Sequence, residues 1–170
     1  MALIYSCASA AAIAAEPVQA PRLGTQMTAE EAAKWQLNVF PDGRGLPVGK
    51  GTAAEGKALF DTQCASCHGE GGRGNTADEL VGQPKPPTAD DPTKVIGSYW
   101  PYVTTLYDFI SRSMPPTSPG SLKPDEIYAL VAYLLNANGI IGPSDIMSNE
   151  TLAKVQMPNR DGFVWVDVTK

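Results

Sequence analysis

The sequence predicts a helical domain that lies between an irregular N-terminal arm and an irregular C-terminal tail. Apolar residues recur at helical spacing in residues 103–110 and again in residues 124–138. A third helix is predicted after Thr52, because Thr52-Ala53-Ala54-Glu55 matches a capping box, in which the Thr and Glu side chains satisfy backbone amides at a helix start. The 170 residues include 16 glycines and 15 prolines, so much of the remaining chain is predicted to be loop.

Boundary signals support each of these helices. The helix after Thr52 contains the apolar stretch Ala58 to Phe60 and runs toward Cys64. Trp100-Pro101 is predicted to open the second helix, since proline suits the first helical turn. Pro124 and Gly139 suit the first position and the end of the third helix. The third helix carries one apolar stripe, formed by Ile127, Leu130, Val131, Leu134 and Leu135.

The segments between these helices read mainly as irregular structure. In the arm, a capping box at Thr28 predicts a short helix to about Trp35, and we expect Trp35 and Phe40 to be buried anchors. Residues 69–94 are rich in glycine and proline, and their apolar patch is Leu80-Val81-Gly82. In the tail, residues 151–155 are predicted to form a short helix.

Four segments follow from these patterns. Residues 1–15 form a signal-peptide remnant, residues 16–51 the N-terminal arm, residues 52–139 the main domain, and residues 140–170 a tail that wraps it. Residues 1–15 are uncharged and mostly small or apolar, and they are too short to span a membrane. We therefore expect cleavage after Ala14 or Ala15 and a soluble, periplasmic protein. Cys7 is either lost with this signal or a lipid attachment site.

The overall charge excludes one class of function. Thirteen basic and 18 acidic residues give a net charge of −5. Nucleic-acid binding depends on concentrated positive charge, so it is not expected here. A composition of 43% hydrophobic and 18% charged residues is that of a globular chain.

The strongest chemical signal is the segment Cys64-Ala65-Ser66-Cys67-His68. Its C-x-x-C-H pattern is typical of the attachment site of a c-type haem, in which two thiols bond the porphyrin and the histidine is the proximal iron ligand. A helical turn through residues 64–68 would place all three side chains on one side.

Three alternatives compete with haem attachment. A thioredoxin-like redox pair would need a preceding strand, but a helix is predicted there. A zinc site commonly uses four Cys or His ligands, and the chain beyond the signal has only three such residues. A disulfide between Cys64 and Cys67 would leave His68, the single histidine, unexplained.

Met114 is the predicted sixth ligand of the iron. A second histidine and a further free thiol are both absent from the chain beyond the signal. Met114 follows an apolar helix and opens the proline-rich loop Met114-Pro115-Pro116-Thr117, which restricts its backbone. Met157, which also precedes a proline, is the reserve candidate.

The helix ending in C-x-x-C-H, the methionine 46 positions after His68, and the later helix resemble class I c-type cytochromes. This resemblance covers about residues 50–139. It implies an all-α class I cytochrome c fold and one covalently bound haem c whose iron is held by His68 and Met114. It also implies that a backbone carbonyl near Asp78 holds the histidine ring, although Asp78-Glu79-Leu80-Val81-Gly82 lacks the family's usual proline. Leu80 is expected at the haem edge. Trp100, Tyr102 and Arg112 are implied as partners of the haem propionates, and the alternative is core packing for the two aromatics and a surface charge for Arg112.

Three further segments resemble bacterial sulfur-oxidation cytochromes: Pro41–Pro47, Ile96–Tyr102 and Met157–Phe163. The similarity is to the cytochrome subunit of Sox sulfane dehydrogenase and to stand-alone cytochromes that serve periplasmic sulfite dehydrogenases. The stand-alone acceptor matches better, because the Sox subunit usually carries two haem domains. The implied donor is a molybdenum sulfite dehydrogenase, and the implied acceptor is a downstream cytochrome c or oxidase.

The leading functional hypothesis is therefore a periplasmic monohaem electron carrier without catalytic residues of its own. Its negative net charge predicts a basic patch on at least one partner and association that depends on salt. One alternative is a haem subunit bound tightly to a dehydrogenase. Another is a haem enzyme or ligand sensor, which would require an open or displaceable iron site.

Overall fold

The structure is a computed structural model that describes residues 24–35, 38–83, 90 and 94–163. It contains six α-helices in this part of the chain. They are α1 (Ala29–Trp35), α2 (Ala53–Gln63), α3 (Ala65–His68), α4 (Ile96–Tyr99), α5 (Val103–Ser113) and α6 (Pro124–Ala137). Two short strands, β1 (Lys50–Thr52) and β2 (Ile146–Ser148), complete the architecture, together with 3-10 turns at Glu70–Gly72 and Leu152–Lys154. The predicted signal segment and the side chain of Trp35 lie outside the described residues.

The predicted helix starts are confirmed at Thr28, Thr52 and Pro124. The Thr52 hydroxyl accepts from Glu55 N, and Glu55 Oε2 accepts from Thr52 N at 2.9 Å. The same reciprocal pair joins Thr28 and Glu31. Pro124 opens α6, and Gly139 follows its end with a φ of 70°, a backbone conformation that glycine adopts without strain.

The second predicted helix begins later than expected. Trp100 and Tyr102 have extended backbones, and α5 starts at Val103. Pro101 therefore lies in the connection between α4 and α5 rather than in a first helical turn. The prediction that Trp100-Pro101 opens this helix was wrong, because proline is equally suited to an extended connection.

Helices α2 and α6 cross at very close range. A Cβ atom on Gly56 would collide with the carbonyl oxygen of Ala129, so only glycine permits this approach. One turn further along α2, the rings of Phe60 and Tyr133 lie 5.1 Å apart at their centroids. The apolar stripe predicted for α6 is confirmed as core, with Ile127, Leu130, Val131, Leu134 and Leu135 all buried.

The arm and the tail meet beside this helix pair. Strands β1 and β2 are antiparallel, with Gly51 opposite Met147. The sequence did not indicate this ribbon. Earlier in the arm, Pro47 O accepts a 2.8 Å hydrogen bond from the Tyr128 hydroxyl, and Val39 N donates to Asp108 Oδ1 at 3.0 Å. Phe40 is 43% exposed, so the expectation that it is a buried anchor was wrong.

No described helix is long and apolar enough to cross a lipid bilayer.

The first prediction concerns the contact between α2 and α6. Replacing glycine by alanine in a helix normally stabilises a protein by about 1 kcal/mol, because glycine has more conformational freedom to lose. We expect Gly56→Ala to do the opposite and to lower the free energy of unfolding by about 1–3 kcal/mol, through overpacking against Ala129. Denaturant titration followed by far-UV circular dichroism measures it. A stabilised variant would contradict the close crossing.

The second prediction compares two buried tyrosines whose rings lie 4.7 Å apart, Tyr107 and Tyr128. The Tyr128 hydroxyl bonds Pro47 O, whereas the buried Tyr107 hydroxyl has no partner among the described residues. At neutral pH we expect Tyr128→Phe to cost about 1 kcal/mol of folding free energy and Tyr107→Phe to cost nothing. Equal losses would mean that Tyr107 has a hydrogen-bond partner.

The same pair predicts a loss of stability at alkaline pH. Burial raises the pKa of Tyr128 from its usual 10 to about 12 and also raises the pKa of Tyr107. The folded chain therefore holds these phenol protons more tightly than the unfolded chain. Their stabilising contribution is complete below about pH 10 and falls as pH rises through the folded pKa. Denaturant titrations across this range should show a shallower decline in both Tyr→Phe variants.

Candidate haem site

The C-x-x-C-H segment forms a compact helical turn directly after α2. Cys67 N and His68 N both donate to Cys64 O, at 3.1 and 3.0 Å. Helix α3 then ends at Gly69, whose φ of 75° reverses the chain. A Cβ on Gly69 would meet the Gly74 carbonyl oxygen, so glycine is needed where the following loop folds back. The predicted helical turn through residues 64–68 is confirmed.

The loop that follows is pinned to this turn by backbone hydrogen bonds. Gly74 N donates to His68 O at 2.7 Å, and Ala77 N donates to Cys67 O at 2.9 Å. Asn75 Nδ2 adds a 3.0 Å bond to Ser66 O. This irregular loop is consequently held in one place relative to the cysteines.

The loop orients the single histidine. His68 Nδ1 lies 3.0 Å from the carbonyl oxygen of Asp78. A carbonyl oxygen only accepts, so Nδ1 carries the proton and Nε2 keeps a free lone pair for a metal. The backbone carbonyl expected near Asp78 is thereby confirmed, although the residue that supplies it is not a proline. Such a bond fixes the tautomer and makes the histidine a stronger ligand.

A cavity of about 340 Å³ opens beside His68. Its inner wall is apolar and comes from three helices, with Phe60 on α2, Ile110 on α5, and Leu130 and Leu134 on α6. Four of the predicted site residues line it together with His68: Cys64, Cys67, Leu80 and Met114. The cavity thus brings together lining residues that are up to 74 positions apart in the sequence, from Phe60 to Leu134.

Met114 reaches the cavity from the end of α5. Its backbone is extended, and its amide donates to Ile110 O at 3.1 Å. Pro115, Pro116 and Thr117 continue the same wall. The reserve candidate, Met157, is buried in the hydrophobic core and does not line the cavity. The structure therefore brings Met114, and not Met157, to the cavity that His68 also lines.

Trp100, Tyr102 and Arg112 do not line this cavity. Trp100 packs its ring edge-on against Phe109, and the Arg160 guanidinium lies over the Tyr102 ring, 4.7 Å from its centroid. Arg112 pairs with Asp108 at 2.9 Å and donates to Asn38, which joins α5 to the arm. The structure thus gives these side chains contacts away from the cavity, and their bonds to the haem propionates stay a prediction.

The cavity contains residues that the sequence did not single out. The sequence predicts Leu130 and Leu134 only as part of an apolar helix stripe and Phe60 only as part of the apolar stretch leading to Cys64, and it carries no signal for Leu122 and Ala77. The rim is formed by exposed polar or small residues such as Gln63, Ser66 and Thr76. No Asp, Glu, Lys or Arg of the described residues lines the cavity, so the acidic charge of the chain lies elsewhere.

The surroundings of the cysteines argue against the three alternatives to haem attachment. Burial, with a smaller effect from Cys67, raises the pKa of the Cys64 thiol to about 11, whereas a redox-active pair requires a lowered pKa. Both thiols are free, so they form no disulfide. Among the described residues no group of three or more His, Cys, Asp or Glu side chains could hold a metal ion, which argues against zinc.

A family model described as cytochrome c matches residues 53–138, about half of the chain. The chain belongs to the cytochrome c family. Membership implies a covalently bound c-type haem, and the residues present fit that group: two thiols, a histidine with its Nε2 free, a methionine and an apolar wall all meet at one cavity.

Similar proteins connect this cytochrome c with sulfur oxidation. Its structure resembles a chain in the crystal structure of the sulfane dehydrogenase SoxCD from Paracoccus pantotrophus, with a TM-score of 0.81 and 41% identity, covering 86% of this chain and 72% of that one. It is 33% identical over 88 residues to the thiosulfate dehydrogenase of Stutzerimonas stutzeri. It is also 33% identical over 99 residues to the cbb3-type cytochrome c oxidase subunit FixP of Bradyrhizobium diazoefficiens.

The last two matches are partial. They cover 52% and 56% of this cytochrome c but only 28% and 31% of the two relatives. The family model and the structural likeness confirm the all-α class and the relationship to sulfur-oxidation cytochromes. The boundaries of the four segments stay predictions.

When bound, the haem supplies a reversible one-electron couple. Different residues of the chain would attach the haem, orient its ligand and enclose it. Cys64 and Cys67 would attach it, the Asp78 carbonyl orients His68 as its predicted iron ligand, and Met114 would be the second predicted ligand, from the loop after α5. Phe60, Ile110, Leu130 and Leu134 exclude water from the inner side.

The third prediction tests the methionine ligand. The oxidised protein should show the weak absorption band at the red end of the visible spectrum that marks an iron–methionine bond. We expect Met114→Ala to abolish this band and to lower the reduction potential, since methionine ligation raises it.

The matched control is Met157→Leu. This change nearly conserves volume at a buried methionine outside the cavity, so it should keep the band and cost less than about 1.5 kcal/mol of stability. If Met157→Leu lost the band while Met114→Ala kept it, the assignment of the sixth ligand would be reversed.

Proposed function

We propose that this cytochrome is a periplasmic electron carrier that accepts single electrons from a molybdenum sulfite dehydrogenase and passes them to a downstream cytochrome c or oxidase. The coarser part of this statement rests on family membership and on the relatives of sulfur oxidation. The identity of the donor is the proposal.

The observation that supports a sulfur-oxidising dehydrogenase as partner, whether this chain is a mobile carrier or a bound subunit, is the extent of the likeness to the sulfane dehydrogenase structure. The cytochrome c family model covers residues 53–138, about half of the chain, whereas the likeness to SoxCD covers 86%. The similarity therefore extends into the arm or the tail. Segments outside the haem domain of an electron carrier are suited to recognising a particular partner, because they vary independently of the haem-binding residues.

The internal contacts of the arm and tail support this interpretation. Asp108 accepts from Val39 N in the arm and pairs with Arg112, and Arg112 in turn donates to Asn38. In the tail, Asn159 Nδ2 donates to Tyr99 O at 2.8 Å. Both segments are thus fixed against the haem domain and present a defined surface to a partner.

Catalysis by this chain itself is the less favoured alternative. A haem enzyme or sensor needs an open coordination position, whereas Met114 lies at the same cavity as His68. The chain also has no second histidine that would assist chemistry on the distal side. Absence of carbon monoxide binding by the reduced protein at neutral pH would support the carrier.

A permanently bound haem subunit is the second candidate, and the likeness to a chain of the sulfane dehydrogenase structure favours it. Purification of the native protein at high salt separates the two candidates. A subunit stays with its molybdenum enzyme, whereas a mobile carrier, which docks through a small and transient interface, is recovered alone.

The fourth prediction tests the donor. Oxidation of one sulfite to sulfate consumes one water and releases two protons and two electrons, so two cytochrome chains should be reduced for each sulfite consumed. Stopped-flow absorbance with catalytic amounts of a periplasmic sulfite dehydrogenase measures this ratio.

Two controls accompany the experiment. Sulfite without the dehydrogenase should leave the cytochrome oxidised, and dithionite should reduce it fully. A cytochrome that dithionite reduces but the dehydrogenase with sulfite does not would overturn the proposed donor.

A further inference from the structure

Two of the sequence segments that resemble sulfur-oxidation cytochromes come together in space, away from the cavity. They are Ile96–Tyr102 and Met157–Phe163, whose midpoints are about 60 positions apart. Asn159 Nδ2 donates to Tyr99 O at 2.8 Å, and the rings of Tyr99 and Phe163 meet edge-on with centroids 5.6 Å apart. None of these contacts is needed to form the haem cavity.

Neighbouring residues of these segments make further aromatic contacts, and we call the whole group the aromatic surface. The Arg160 guanidinium lies over the Tyr102 ring, Lys94 Nζ lies 5.5 Å from the Tyr99 ring centroid, and Trp100 packs on Phe109. The aromatic surface consists of Lys94, Tyr99, Trp100, Tyr102, Phe109, Arg160 and Phe163.

The aromatic rings of this surface remain partly open to solvent. Phe163 is 55% exposed, Phe109 44% and Tyr99 37%. Large exposed aromatic side chains that lie together are unfavourable in water and are typical of protein–protein interfaces, where aromatic residues and arginine are enriched.

The charges of the aromatic surface are available for a partner. Arg160 and Lys94 form no ion pair with any described residue, although Asp161 is adjacent to Arg160 in the chain. By contrast, the Arg44 guanidinium, which lies over the Phe40 ring in the arm, is also paired with Asp42 at 2.7 Å. An arginine held over a ring but without an acidic partner presents its donors to an incoming carboxylate.

The aromatic surface is close to the cavity wall at two places. Phe109 directly precedes Ile110, which lines the cavity. The helix that bears Tyr99 is anchored by Ile96 N, which donates to the carbonyl oxygen of Leu80, another lining residue. The aromatic surface is therefore connected to the cavity wall, and it does not include the exposed rim residues Ser66 and Thr76.

We infer that the aromatic surface is the docking site for an acidic, apolar-centred face of the electron-donating dehydrogenase. This inference rests on the proposed function, which names that enzyme as donor. The negative net charge predicted a basic patch on a partner. The inference differs from that expectation, because the surface that meets the dehydrogenase carries Arg160 and Lys94, which form no ion pair with a described residue. The predicted basic patch then belongs to another partner, such as the downstream acceptor.

The fifth prediction is a binding experiment with the haem-loaded full chain and a periplasmic molybdenum sulfite dehydrogenase. Arg160→Ala and Phe109→Ala should each weaken binding by roughly tenfold in isothermal titration calorimetry, as interface residues of these types commonly do. The matched controls are Arg44→Ala and Phe40→Ala, which change the same residue types at a cation–aromatic contact outside the aromatic surface and should bind as the wild type does. An unchanged iron–methionine band in every variant confirms that the haem site is intact.

Salt dependence provides the second readout. Binding of the wild type should weaken as ionic strength rises, and Arg160→Ala should show a shallower dependence, because one attractive charge pair has been removed. A variant that merely disturbed folding would not change this slope in a systematic way. The expected kinetic counterpart is a raised KM for the cytochrome with little change in kcat.

The outcomes separate the docking site from the donor. If the wild type binds and is reduced but the Arg160 and Phe109 variants match it, the docking site is wrong and the proposed function stands. If the wild type binds without being reduced and those variants bind weakly, the docking site stands and the electron-transfer role fails. Absence of binding by the wild type overturns the docking site. Self-association of the chain that both variants abolish would instead assign the surface to a second copy.

Discussion

The close crossing of α2 and α6 is the contact on which the rest of the structure depends. Gly56 lets the two backbones approach until the Ala129 carbonyl occupies the space a side chain would need. This approach brings Phe60 against Tyr133 and sets Leu130 and Leu134 at one cavity wall. Because α2 ends immediately before Cys64, the same crossing determines where the two thiols and His68 are placed.

The histidine shows how an irregular loop achieves a precise position. Residues 69–80 contain little regular structure, yet their amides bond the carbonyls of Cys67 and His68, and the Asp78 carbonyl bonds the histidine ring. Each polar backbone group that is satisfied in this way also restricts the loop. The missing proline of the family pattern has little effect here, since the bond uses a backbone carbonyl that any residue supplies.

The cytochrome separates holding the cofactor from meeting a partner. The cavity is lined by apolar and uncharged residues, whereas the aromatic surface carries two cations, Arg160 and Lys94, beside the exposed rings of Tyr99, Phe109 and Phe163. The likeness to the sulfane dehydrogenase structure reaches beyond the haem domain, and so does one of the two segments that build this surface, Met157–Phe163. Specificity for a sulfur-oxidising enzyme is therefore best sought in the connection before α5 and in the tail, rather than among the iron ligands.

The sequence by itself determined the features that depend on local chemistry. The pattern Cys64-Ala65-Ser66-Cys67-His68 specified the cofactor, the capping boxes located α1 and α2, and Pro124 with Gly139 bounded α6, because caps and covalent attachment involve residues within a few positions of one another. Elimination among few possible ligands also predicted Met114, which lines the cavity and whose bond to iron stays a prediction.

Only the tertiary structure decided the features that depend on distant segments. It showed that Gly56 is a contact point, that β1 and β2 pair, that Phe40 is exposed and that Trp100 precedes its helix. It also showed that Trp100, Tyr102 and Arg112 do not line the cavity and that Asn159 bonds the backbone of Tyr99. Sequence periodicity identifies a buried face but not the element that covers it, because burial depends on residues far along the chain whose approach no local pattern encodes.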